Sequence, residues 1–154
     1  MAAAPAQTPS VVFHSGVADK LAHAMRLLRR MQVHGLKVVV RGEPPLLARL
    51  DQALWTDPPG DFLPHLRWPA GQPAPVPALA RRTPVWLVEA DGAGPAEALL
   101  LNLGPAWAGQ AEHSPRVVEV VGTEPAERDA GRQRWRRHEA AGRAPQHHRF
   151  DGGG

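Results

Sequence analysis

Apolar positions in this chain change their spacing repeatedly, and each change marks an element. Val11-Val12-Phe13-His14 is a short β-branched and aromatic run that suits a strand. After Gly16, residues Val17, Leu21, Ala24, Met25, Leu28 and Met31 recur at steps of three and four, which places them on one helical face, and Gly35 supplies a stop. Leu36-Lys37-Val38-Val39-Val40 then reads as a buried strand. Strand, helix and strand in succession predict a parallel βαβ unit.

The pattern continues in the same style. Pro44 and Pro45 open a second helix, where proline costs little, with Leu46, Leu47, Leu50, Ala53 and Leu54 on its apolar face. Pro84–Val88, Ala98–Leu103 and Arg116–Val121 are three more strand candidates, and a last helix is predicted from about Glu124 to Ala141, ended by Gly142 and Pro145. Five strands with about three helices predict an α/β fold: a single open, mostly parallel sheet with helices on both faces. Residues 1–9 read as a disordered leader, 10–143 as one domain and 144–154 as a flexible tail. The prolines at 69, 73, 75 and 77 predict a semi-rigid loop without ladder bonds over 69–80.

Composition narrows the function. A length of 154 residues, 43% of them hydrophobic, is enough for one core. The absence of cysteine removes thiolate nucleophiles, disulfides and sulfur-bound zinc; the absence of tyrosine removes phenolic acid–base chemistry. No apolar run approaches the roughly 20 residues of a membrane helix, and the first residues carry no secretory signal, so the expected setting is cytoplasmic. The 18 basic and 15 acidic residues nearly balance, but five arginines (132, 134, 136, 137 and 143) face a single glutamate (139) between Arg132 and Arg143. Such a patch seeks phosphates or carboxylates.

Catalytic chemistry finds no foothold. The loop after the first strand, His14-Ser15-Gly16-Val17, has one glycine and no Lys-Ser/Thr pair, and Gly92-Ala93-Gly94-Pro95 is half of a dinucleotide fingerprint, more often a plain turn. The eight histidines show no metal-ligand spacing, and Glu43 and Asp51 read as solvated or capping carboxylates rather than an acid–base pair. No serine sits in a nucleophile elbow. Catalytic residues, metal and cofactor are all expected to be none, which leaves a binding module.

Two clusters suit binding. Trp55 and Phe62 flank a Pro-Pro-Gly turn, with Leu54, Leu63 and Pro64 adjacent; they either close the core beneath the loop or stand at the surface as interface anchors. On the last helix Arg128, Arg132, Trp135 and Arg136 share one face. That face is either a solvated arginine stripe with Trp135 packed on the sheet, or a seat for an acidic peptide with an aromatic end or for a nucleic-acid backbone.

These residues also carry a resemblance. Leu50-Asp51-Gln52-Ala53-Leu54-Trp55-Thr56 followed by Phe62-Leu63-Pro64-His65 resembles the signature of the chi subunits of bacterial DNA polymerase III, and Arg132–Gly142 looks like the closing helix of that family. The likeness covers roughly residues 10–143 and departs from the family after His65 and at His138, where a tyrosine is usual. It implies a Rossmann-like fold that has lost nucleotide binding and a non-catalytic, replisome-associated subunit of a DNA-directed DNA polymerase, in contact with DNA mainly indirectly. It implies that Trp55 and Phe62, with Leu54, Leu63 and Pro64, meet the psi subunit of the clamp loader or a helicase. It further implies that Val121, Arg128, Arg132, Trp135 and Arg136 hold the acidic, Pro-Phe-ending C-terminal tail of single-stranded DNA-binding protein. Two other readings remain: a degenerate nucleotide-binding α/β domain, and a direct binder of single-stranded nucleic acid through the Arg132–Arg143 patch.

Overall fold

A computed structural model describes residues 10–56, 63–68, 82–89, 94–95 and 97–150. The described elements are β1 (Ser10–Val17), α1 (Lys20–Val33), β2 (Val38–Arg41), α2 (Pro44–Thr56), β3 (His65–Trp68), β4 (Val85–Val88), β5 (Leu99–Asn102), a 3-10 turn (Gly109–Glu112), β6 (Arg116–Gly122), α3 (Pro125–Ala140) and β7 (Gln146–Arg149). The strands form one sheet in the order β3-β4-β2-β5-β6-β1-β7, and every neighbouring pair is parallel.

The central strands are mostly apolar on both faces, because helices and loops cover both sides of the sheet. Val38 and Val40 of β2, Val85 and Leu87 of β4, and Leu99 and Leu101 of β5 join Leu28 of α1 and Leu47, Leu50 and Leu54 of α2 on one side. The alternate residues Val39, Trp86, Val88 and Leu100 join Val11, Phe13, Val117 and Val121 on the other, beneath Trp107 and Trp135. Each fully buried leucine contributes roughly 1.5–3 kcal/mol through removal of its surface from water.

Local chemistry sets the helix ends. The Asp19 carboxylate accepts from the Ala22 amide at 3.0 Å, capping α1. Gly35, at φ +68°, lets the chain turn back so that the Leu36 amide reaches the Met31 carbonyl. Gly142, at φ +85°, does the same for α3, and the Arg143 amide donates to the His138 carbonyl.

Two strands lie where the sequence pattern predicts none. β3 has a histidine, an arginine and a tryptophan among its four half-buried residues and lies at an edge of the sheet. β7 corrects the expectation of a frayed tail: Gln146-His147-His148-Arg149 pairs with residues 12–15 of β1, and the Phe150 amide donates to the Ser15 carbonyl at 2.8 Å. All four β7 side chains are exposed, so backbone ladder bonds rather than an apolar face define the strand. The leader 1–9, the loop 69–80 and the final residues 151–154 lie outside the described residues.

Candidate functional site: an arginine-lined groove on α3

α3 is fixed on the sheet by a buried polar network. Glu119 of β6 is wholly buried and accepts from Arg134 Nε at 2.8 Å, from Asn102 Nδ2 at 2.8 Å and from His138 Nε2 at 2.9 Å. Arg143 Nη1, which can only donate, sits 2.9 Å from His138 Nδ1, so the ring carries its proton on Nε2. Arg134 and His138 are one turn apart and face the sheet; their anchoring turns Arg128, Arg132 and Arg136 toward solvent and leaves Trp135 half-buried beside Phe13. Gly131 completes the approach: a β-carbon there would stand 2.9 Å from a Val121 methyl.

The outward face of α3 and the ends of β1, β6 and β7 enclose a cavity of about 620 Å³. Its lining includes all five residues that the family resemblance implied: Val121, Arg128, Arg132, Trp135 and Arg136. Phe13 supplies an apolar floor, with its ring centroid 5.0 Å from that of Trp135. Arg128, Arg132 and Arg136 are exposed; Asp129 holds one Nη of Arg132 at 3.0 Å, a pair so open to water that it competes weakly with an incoming anion. Arg149, His147 and Ser15 also line the cavity and were missed by the sequence reading, because they depend on β7 and on the Gly16 bulge of β1. Glu139 is the only carboxylate among the lining residues.

The basic stretch is smaller than its sequence suggests. Arg134 and Arg143 are buried in the network just described, and Arg137 lies over the Trp107 ring at 4.3 Å and pairs with Glu112. Of the five arginines between 132 and 143, only Arg132 and Arg136 face the groove.

The second cluster divides. Leu54 and Leu63 are 1% and 3% exposed and belong to the core, so they support a surface without presenting one. Trp55 is 59% exposed and Pro64 is exposed, whereas Phe62 lies outside the described residues. Asp51, expected to be solvated or capping, instead accepts from His65 Nε2 at 2.6 Å; the other ring nitrogen lies 2.8 Å from the Leu63 carbonyl. The Trp55 ring, one turn beyond Asp51, sits 5.3 Å from the His65 ring, so three residues of the Leu-Asp…Trp…Pro-His signature form one contact set.

At the carboxyl ends of the strands, where α/β folds place nucleotides, this chain puts its own charges. The Asp19 carboxylate occupies the amino end of α1. Lys20 Nζ spans to the Leu103 carbonyl at 2.6 Å and to Glu127 at 2.6 Å. Burial opposes ionisation of Glu127, but hydrogen bonds from Lys20 and the Gly122 amide outweigh it and hold its pKa below the usual carboxylate value. Among the described residues no group of three or more potential metal ligands occurs, and no helix is long and apolar enough to cross a membrane.

Comparison with protein families decides the class: residues 9–146 match the model of the DNA polymerase III chi subunit, HolC. The chain belongs to the chi family. No curated protein matches it. Membership makes it an accessory subunit of DNA polymerase III, with a role in DNA replication. The chi family match spans every described element from β1 through α3.

Proposed function

We propose that this chi-family chain is a non-catalytic tether that joins the clamp-loader complex to single-stranded DNA-binding protein in the cytoplasmic replisome. The α3 groove takes the acidic C-terminal tail of that protein. The exposed Trp55 surface takes psi or a helicase.

The observation that carries this reading is the convergence of Val121, Arg128, Arg132, Trp135 and Arg136 on one cavity. The guanidinium groups match the terminal carboxylate and acidic side chains of the tail, and Trp135, Val121 and Phe13 offer an apolar seat for its phenylalanine. A hydrogen bond to a charged group contributes on the order of 1.5–3 kcal/mol, so loss of Arg132 weakens the tail roughly tenfold to a hundredfold. Many tails on coated DNA raise the effective concentration, so a modest single-site affinity holds the assembly to its template.

Both rival readings lose support from the same arrangement of charges. A phosphate at the amino end of α1 meets the Asp19 carboxylate. A phosphate track along Arg132–Arg143 loses Arg134 and Arg143 to the interior. Fluorescence anisotropy with a labelled acidic peptide ending in Pro-Phe and with a labelled single-stranded oligonucleotide separates the outcomes. The tether reading expects tight peptide binding that Arg132→Ala weakens, and feeble oligonucleotide binding. Tight oligonucleotide binding with a steep salt slope, and none of the peptide, contradicts it.

A further inference from the structure

β7 builds the second bank of the groove. Strand geometry sends alternate side chains to opposite faces, and β7 uses both. His147 and Arg149 point to the groove: His147 accepts or donates with Ser15 Oγ at 2.5 Å, and its ring faces Trp135. His148 and Phe150 point the other way, toward α1. There the Phe150 ring lies 4.8 Å from that of His14 and 4.7 Å from that of His23.

The strand also leans on side-chain contacts, His147 with Ser15 and Trp135 and His148 with His14. Among the described residues it is the edge of the sheet with β1 as its one ladder partner, and none of its four residues is buried. Phe150 is the one apolar residue of the segment Gln146–Phe150, and it is 38% exposed. Across the groove, α3 carries Arg128, Arg132 and Arg136, so Arg149 places a guanidinium on the facing wall. An extended acidic peptide between the two walls meets cations on both sides.

We infer that Arg149 is a further carboxylate-binding residue of the groove, and that Phe150, seated between His14 and His23, is the positioning residue that keeps it there. This rests on the groove taking an acidic peptide. Occupancy and strand seating then support each other: the ligand stabilises β7, and an unseated β7 weakens the ligand.

The test is a titration of labelled acidic peptide ending in Pro-Phe into the full chain and its variants, with hydrogen exchange of the backbone amides of 146–150 followed in parallel. Arg149→Ala is expected to weaken the peptide about 1.5- to fivefold, the range for an exposed charge pair. Arg149→Lys recovers part of the loss. Phe150→Ala weakens the peptide by a similar factor and speeds exchange at 146–150, and in the wild type the peptide slows it. If Arg132→Ala loses the peptide while Arg149→Ala and Phe150→Ala bind like the wild type, the role of β7 is overturned and the groove reading stands. If the wild type takes no peptide, both fall.

Discussion

Arg134 Nε donates to Glu119 Oε1 at 2.8 Å, with 3% and 0% of the two side chains exposed, and this pair sets which face of α3 meets solvent. Removing one member of a buried pair leaves an uncompensated charge, which costs about 3–5 kcal/mol. Glu119→Ala strands both Arg134 and His138. It is expected to lower the midpoint of thermal unfolding by about 10 °C or more in a domain of this size. A shift of only a degree or two contradicts the anchoring role.

The pair His14 and His23 makes stability depend on pH. Their ring nitrogens lie 2.8 Å apart, a bond that needs one ring to donate and the other to accept. Burial first, then His23, His148 and Arg30, lower the His14 pKa to about 4; burial, Arg26 and Arg30 lower that of His23. The unfolded chain therefore binds protons that the folded chain refuses. Stability is full above about pH 6.5, the ordinary histidine value, and falls as the pH drops toward 4. Urea unfolding between pH 4 and 8 checks this, and His14→Leu is expected to flatten the fall. An unchanged slope in that variant removes His14 from the explanation.

Gly131 tests how tightly α3 lies on β6. Alanine is the better helix former by about 1 kcal/mol. Its β-carbon, however, would meet the two Val121 methyls at 2.9 and 3.1 Å, and valine turns poorly about its first bond. Overpacking costs about 1–3 kcal/mol, so Gly131→Ala is expected to destabilise the protein in spite of helix propensity. It also disturbs the groove, because Val121 lines it. A rise in the urea midpoint contradicts this packing.

Trp55 projects from the end of α2 against His65. Trp55→Ala is expected to change folding stability by no more than about 1 kcal/mol, as for other exposed positions. In a co-purification assay with psi, the same variant is expected to lose its partner. Retained psi removes this surface from the tether.

The sequence pattern located what apolar periodicity can show. The βαβ start, the leucine face of α2 and the α3 face bearing Arg128, Arg132, Trp135 and Arg136 all follow from spacing, because burial on one side enforces it. β7 was invisible, since a strand made of Gln146, two histidines and Arg149 carries no alternation to read. Spacing put Leu54 on the buried face of α2, and the resemblance grouped Leu54 and Leu63 with Trp55, which they support from the core; the same limit hid the burial of Arg134 and Arg143 within the basic patch. Composition records a residue's charge, but not the partner that draws it inside: the Glu119 carboxylate for Arg134 and the His138 ring for Arg143.

The central claim is that the α3 groove holds an acidic tail by its carboxylates and its final aromatic ring. Calorimetric titration of the full chain with a nine-residue acidic peptide ending in Pro-Phe, beside the same peptide without its last residue, tests it most directly. The tether account predicts micromolar binding of the intact peptide, weakening with added salt, and loss of binding with the shortened one. Equal binding of both peptides, or no heat from either, contradicts it.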